Sequence, residues 1–304
     1  MTSCQKKQDV ISAEELARED SLALHVAVMP VIDCLPIYYA KHTGMFEAEG
    51  LDVRLLEHLS QMDCDTSLLN RRAEMAYTDI FRVLLMKENI GVATITSGKL
   101  SLITARTKRV RQLKHLNERM VALERFSTSD FWSDRLTDDA GMEKNDIYRP
   151  QINDVRLRTS MLNEQLVDAA LLPEPYATQA ELQGNKRIKS VLEADSLPHF
   201  NCLALHRKLL ADKYRKGQLK DFFTVYEKAV KTINNKEYDR EVLNSILYYQ
   251  YEMPVTVIDT LKIPQMYGVQ KPKESDVDKA ITWLQSRERA PQKQRRDSLV
   301  YKVP

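Results

Sequence analysis

LPIYYAKHTGMFEAEGLDVRLLEH, residues Leu35 to His58, reads as a helix delivered into a strand. Pro36 opens the helix, because its missing N–H is one of the donors that a first turn leaves unpaired anyway. Ile37, Tyr38, Ala40 and Lys41 share one face, and Gly44 supplies the positive φ that stops the turn. A short second turn, MFEAEG, ends at Gly50. Leu51, Val53 and Leu55 then alternate with Asp52 and Arg54, the period of a strand.

Working outward, LALHVAVMP (residues 22–30) is apolar on both alternating sets, which marks a strand covered on both faces, as in parallel sheets. It ends at Met29-Pro30. Val31 to Leu35 form the loop at the carboxyl end of that strand, where open α/β sheets hold their ligands, and Asp33, Cys34 and Leu35 sit there. Downstream, Asp65 or Thr66 caps a short helix and Glu74 to Thr78 is a brief strand. Asp79 opens a helix whose buried side carries Ile80, Val83, Leu84 and Met86. GVATITSG and LSLITART are β-branched strands separated by Gly98, and a basic surface stretch, RTKRVRQLKHLN, follows. Strand RMVALE, loop RFSTSD, helix DFWSDRLTDDAG, strand DIYRPQIN, helix DVRLRTSMLNEQL and strand VDAALL alternate as βαβ units do. KRIKSVLEA and FNCLALHR are two more strands. From Asp212 onward the pattern is helical: Leu219, Phe222, Phe223, Tyr226, Ala229, Val230 and Ile233 form an amphipathic stripe that reads as core. Ser275 is the expected cap of the last helix, whose buried face carries Val277, Ala280, Ile281 and Leu284.

The totals exclude several classes. A chain of 304 residues suits two lobes better than one continuous core. Lys+Arg number 45 against 43 Asp+Glu, so nucleic acid is not an expected partner, and only the tail SRERAPQKQRRDSLVYKVP is locally basic. No run of about 18 apolar residues spans a membrane. Cys34, Cys64 and Cys202 lack a CxxC spacing or a companion His at a ligand interval, so they read as buried free thiols rather than a zinc site; one disulfide among them stays open. P-loop, GxGxxG, GxSxG and HExxH motifs are absent, and the six His are scattered. No metal and no cofactor is expected.

The succession of an apolar strand, a loop, Leu-Pro-Ile-Tyr-Tyr-Ala-Lys, Gly-Met-Phe and Glu-Ala-Glu-Gly-Leu-Asp-Val closely resembles the opening of the solute-binding proteins that serve ABC importers for aliphatic sulfonates, nitrate-like anions and thiamine-pyrimidine precursors. Val-Asp-Ala-Ala-Leu-Leu-Pro-Glu-Pro-Tyr-Ala (167–177) matches the pattern these proteins carry where the second lobe returns to the cleft. The resemblance covers roughly residues 22–206. It implies an α/β, two-lobe periplasmic-binding-protein type 2 architecture. Each lobe would be a mostly parallel sheet flanked by helices, with a helical C-terminal part packed on the first lobe. The expected divisions are an N-terminal lipoprotein-type linker over 1–20, lobe 1 over 21–105 plus 200–304, and lobe 2 over 106–199.

The implied function is an extracytoplasmic receptor of an ABC importer, a monomer that closes its lobes on a small solute and presents the closed form to an inner-membrane permease. The small residues before Cys4 and the polar linker after it resemble the end of a lipoprotein signal, with Cys4 as the lipidated residue. An accidental Cys in an N-terminal tail is the alternative. The ligand-facing set is Asp33, Cys34, Leu35, Tyr38, Thr78, Asp79, Ser127, Thr128, Ser129, Phe131, Glu174 and Tyr176. Tyr38, Phe131 and Tyr176 would supply an aromatic wall. Thr78 with Asp79, Ser127 to Ser129, and Glu174 also read as helix caps. Asp33, Asp79 and Glu174 put negative charge in the cleft, which repels an anion and suits a neutral or cationic nitrogen compound such as a thiamine-pyrimidine precursor. Two enzyme types share the resembled fold: a fungal pyrimidine-precursor synthase with a Cys-rich segment, which has no counterpart here, and a menaquinone-pathway dehydratase whose opening loop is Asn-rich, unlike VIDCLP.

Overall fold

A computed structural model of the chain describes residues 13–86, 89–98, 100–107, 110–190, 198–289 and 299–301. Cys4, the first part of the proposed linker and most of the basic tail lie outside the described residues. Ten strands are named in chain order: β1 (Leu24–Val28), β2 (Val53–Glu57), β3 (Met75–Asp79), β4 (Ile90–Ile95), β5 (Leu100–Thr104), β6 (Arg119–Ala122), β7 (Ile147–Tyr148), β8 (Ala169–Pro173), β9 (Lys186–Ser190) and β10 (Asn201–His206). They form two five-stranded sheets, in the orders β2-β1-β3-β10-β4 and β7-β6-β8-β5-β9.

Both sheets are mixed. β2, β1 and β3 are parallel, with Val26 paired to Leu55 and Met75. β10 runs antiparallel to β3 and β4 because it carries the chain back from the second lobe. In the same way β5 arrives from the first lobe and lies antiparallel to β8 and β9. The strand LSLITART therefore belongs to the second lobe by sheet membership, and the outward crossing lies between Ile95 and Leu100 rather than at the expected 105/106 boundary. Its β-branched pattern fits either sheet; the partners decide.

The two crossings touch. Thr96 donates its N–H to the Asn201 carbonyl at 2.9 Å, and a Cβ placed on Gly98 would lie 2.8 Å from the Asn201 amide nitrogen. Gly98→Val should therefore lower stability by about 1–3 kcal/mol through overpacking. A urea midpoint indistinguishable from wild type would show that the crossings separate freely.

Three local expectations are corrected. Ser60, in extended conformation, caps the helix Gln61–Leu69 by accepting the Asp63 N–H, so Asp65 and Thr66 lie inside that helix. Lys273 precedes the helix Glu274–Ser286 without a side-chain cap, and Ser275 sits in its first turn, where Glu274 and Asp276 complement the helix dipole. DIYRPQIN keeps only Ile147–Tyr148 in the ladder, since Pro150 has no N–H to donate; Gln151 makes a single further bridge to Leu123.

The long helix Lys213–Asn234 buries the predicted stripe on the first lobe, where Phe222 stacks on Phe46 at 5.2 Å between ring centres. Arg215 donates to the Ala23 carbonyl at 2.8 Å. The last helix does more than cover lobe 1. Its Trp283 donates to Asp134 of the second lobe at 2.8 Å and packs with Phe81, Phe131 and Phe200 in one aromatic cluster that spans both lobes.

Candidate functional site

The carboxyl ends of β1, β3 and β6 point toward one interlobe cleft, which hydrogen bonds draw shut. Ile32 donates its N–H to the Glu174 carbonyl at 2.9 Å, and Val155 donates to the Leu59 carbonyl at 2.9 Å. Thr128, at the start of the helix Thr128–Ala140, gives its N–H to Asp79 at 3.0 Å and its hydroxyl to Asn201 at 2.8 Å. At the rim, Arg156 of the second lobe pairs with Glu252 of the C-terminal part at 2.8 Å.

Between the lobes remains a cavity of ≈ 30 Å³, lined from lobe 1 by Met29, Val31, Gln61, Tyr77 and Asn201, and from lobe 2 by residues that include Glu124, Ser127, Ser129 and Arg158. That volume holds a water-sized group, whereas ligand pockets run to about 300 Å³ or more. A ring-sized solute therefore enters only as the lobes part, and its own contacts must hold them together. A wider depression, ≈ 700 Å³, opens on the outer side of lobe 1 near His25, His58 and Arg72. It receives nothing from lobe 2, so lobe closure cannot act there.

Two buried ion pairs flank the cleft. Asp65 pairs with Arg82, and Glu124 approaches Arg158 at 3.5 Å with both side chains 3–5% exposed. Burial raises the carboxyl pKa of Asp33, Asp65 and Glu124, against the opposing pull of hydrogen bonds or guanidiniums.

The expected site residues divide into three groups. Ser127, Thr128 and Ser129 line the cavity, but their polar groups are engaged. The Ser127 hydroxyl donates to the Glu124 carbonyl at 2.8 Å, the Ser129 hydroxyl accepts the Glu124 N–H at 3.0 Å, and Asp79 and Asn201 take the groups of Thr128. Ser127 is the helix cap, the capping reading of this cluster, and the start of this helix holds the protein's own carboxylate.

The three carboxylates expected to be unpaired are not. Asp33 accepts the Thr96 hydroxyl and the Gly98 N–H on one oxygen, both at 2.6 Å, and so ties the first loop to the outward crossing, while its Oδ2 has no hydrogen-bond partner. Asp79 accepts the Arg82 N–H at 3.0 Å and caps the helix Ile80–Leu85, besides holding Thr128. Glu174 accepts the Thr178 N–H at 3.0 Å and pairs with Arg187 at 2.8 Å, the capping alternative for this residue.

The third group packs. Cys34 and Leu35 are fully buried, and burial pushes the Cys34 thiol up. Thr78 sits on β3 opposite Cys202. Cys34, Cys64 and Cys202 are free thiols. Tyr38 lies edge-on to Tyr251 at 5.2 Å. The Tyr176 hydroxyl is pushed up to about 12 by burial, with Arg156 beside it pulling the other way. Phe131 belongs to the interlobe aromatic cluster with Phe81. None of Tyr38, Phe131 and Tyr176 lines the interlobe cavity.

Sequence reasoning missed Gln61, Tyr77, Glu124, Arg158 and Asn201 as lining groups. Glu124 carried a usable signal, since it closes the strand RMVALE just as Asp33 follows LALHVAVMP. Arg158 carried none; on an amphipathic helix it reads as a solvated charge.

Asp79 makes a pH test. Burial lifts its carboxyl to about 7, above the unfolded value near 3.9, so the native state holds a proton that the unfolded chain releases. Its contribution to stability is present below about pH 4 and is lost as pH rises through about 7, by up to about 4 kcal/mol. Denaturant unfolding at pH 4.5 and 7.5 should show this decline in the wild type and a flatter response in Asp79→Asn. Equal slopes would remove Asp79 from the account.

Comparison with known proteins supplies the family. The family model described as "NMT1/THI5 like" matches residues 32–236, more than half of the chain. The chain belongs to this family. Among solved structures it is similar to the alkanesulfonate-binding protein SsuA from Xanthomonas axonopodis pv. citri bound to MOPS, with 12% identity, 92% of this chain and 98% of that one covered, and a TM-score of 0.78. A ligand-binding component of an ABC-type import system from Staphylococcus aureus with zinc bound shares 16% identity over 92% and 96% of the two chains, with a TM-score of 0.77. The periplasmic nitrate-binding protein NrtA from Synechocystis PCC 6803 shares 12% identity over 92% and 86%, with a TM-score of 0.75. No curated protein matches by sequence. At such identities the neighbours establish the two-lobe fold of this NMT1/THI5 like chain. Among its described residues, no group of three or more His, Cys, Asp or Glu is placed to hold a metal ion, and no helix is long and apolar enough to cross a membrane.

Proposed function

We propose that this NMT1/THI5 like protein is the solute-binding receptor of an ABC importer and that it closes its two lobes on a small nitrogenous compound. The observation that carries the reading is the interlobe cavity, lined by strand-end residues of both lobes, which widens as the lobes part and seals as they close. Its structural neighbours include proteins titled as binding sulfonates and nitrate. In this cleft the start of the helix Thr128–Ala140 is filled by Asp79, and Asp65 and Glu124 add carboxyls. A nitrogen compound, for which a thiamine-pyrimidine precursor is the model, suits such a lining better than an oxyanion. A receptor of this kind acts outside the cytoplasmic membrane with a permease as partner, and lipid on Cys4 would tether it there.

Native mass spectrometry followed by thermal-shift titration with aminopyrimidines, amines and alkylsulfonates tests the reading. A ligand at 100 times its Kd should add about 2.7 kcal/mol of stability and be recovered unchanged. Recovery of a chemically converted compound would overturn the receptor reading in favour of an enzyme on this fold.

A further inference from the structure

We propose that Glu124 is the anchor of the solute site and that it selects a compact cation bearing N–H donors, an alkylammonium, amidinium or guanidinium, over any anion. This rests on the receptor reading and deepens it. Glu124 is 4% exposed and lines the interlobe cavity. One carboxylate oxygen meets Arg158 at 3.5 Å, and the other, Oε2, has no hydrogen-bond partner. A buried acceptor left unpaired costs about 1–3 kcal/mol, more when charged, so a donor brought by a solute gains what the protein alone forgoes.

Charge points the same way. Asp33, Asp65, Asp79 and Glu124 are buried around the cleft, and among the described residues Arg82 and Arg158 are the guanidiniums set against them. Four carboxyl groups face two guanidiniums, so each carboxyl that ionises beyond the second adds negative charge that a bound cation neutralises and a bound anion worsens. The neutral groups that would greet an anion are occupied, the Thr128 N–H by Asp79 and the Ser127 and Ser129 hydroxyls by the Glu124 backbone; the Arg158 Nε is left without a partner, on a guanidinium already turned to Glu124. Asp79 and Glu174 are held by their own hydrogen bonds; Asp33 Oδ2 and Asp65 Oδ1 are without a partner but belong to residues that do not line the cavity, which leaves Glu124 as the cavity-lining carboxylate with an acceptor to offer.

Calorimetric titration of the whole chain with butylamine, butylguanidine, benzamidine and butanesulfonate decides. The expected result is binding of one or more of the cations, no binding of the sulfonate, and a loss of tenfold or more in cation affinity for Glu124→Gln. Because removing one member of a buried pair can harm folding, the double variant Glu124→Leu with Arg158→Met provides a second route. Apolar replacement of both partners is commonly tolerated, and this variant should remain folded and lose cation binding. Sulfonate binding without cation binding would overturn the anchor while leaving the receptor intact, and so would unchanged cation affinity in either variant. Turnover of a bound compound would strike at the receptor reading instead, and failure of all three cations to bind overturns the anchor.

Discussion

Asp134→Ala should lower the stability of the fold by about 3–5 kcal/mol, the cost of stranding buried cations by removing their shared partner. Asp134 is 3% exposed and lies on the second-lobe helix Thr128–Ala140. Arg287 reaches it at 2.5 Å, Arg149 at 3.1 Å and Trp283 at 2.8 Å. Arg149 is itself largely buried, and burial lowers its pKa while Asp134 opposes the shift. Removal of the carboxylate would therefore leave a desolvated guanidinium and an indole N–H without their acceptor. Trp283 and Arg287 come from the C-terminal part, so the same substitution unfastens that part from lobe 2. Asp134→Asn keeps an acceptor for Trp283 and should lose less. The urea midpoint measures both. A loss below about 1 kcal/mol in the alanine variant would mean that solvent readily replaces the carboxylate, as at an exposed pair.

Phe81→Ala should cost a similar amount, about 3–5 kcal/mol, by leaving a cavity that its surroundings cannot close. Phe81 is fully buried, with ring centres 4.6 Å from Phe200, 5.0 Å from Trp283 and 5.4 Å from Phe131. These partners come from the return crossing, the last helix and the second lobe, so collapse of the void would require three separate elements to move together. Phe81→Leu retains most of the volume and should cost less than about 1.5 kcal/mol. If both variants lost the same small amount in guanidinium unfolding, the cluster would be loosely packed and would not bind the lobes to each other. Small-angle scattering on the folded alanine variant should show a larger radius of gyration, because the aromatic contact between lobes is weakened.

The strands were legible because an apolar run or a period of two reports burial one residue at a time. LALHVAVMP, Leu51 to Leu55, RMVALE, VDAALL and FNCLALHR each overlap a strand of the two sheets, and Leu219 to Ile233 forms the buried stripe of the helix Lys213–Asn234. The resemblance of Leu-Pro-Ile-Tyr-Tyr-Ala-Lys and of Pro-Glu-Pro-Tyr pointed to a two-lobe fold, and the family model and structural neighbours show that fold. Less local features were misread. Ser60 took the cap assigned to Asp65 or Thr66, since either choice satisfies a first turn and only the entry angle of the chain decides. β5 joined the second sheet because sheet membership depends on partners distant in sequence.

The site shows the same division. The chain by itself determined which residues reach strand ends, Asp33, Asp79 and Ser127 to Ser129 among them, because strand direction and side-chain alternation are local properties. What only the tertiary structure decided was which of those groups remain available. Asp33, Asp79 and Glu174 are tied to Gly98, Thr128 and Arg187, partners 13 to 65 residues away, whereas on the cavity wall the Glu124 Oε2 is left unpaired. A carboxylate's charge is written in the sequence; its hydrogen-bond partners depend on long-range packing, and it is those partners that separate a structural clamp from a group able to hold a ligand.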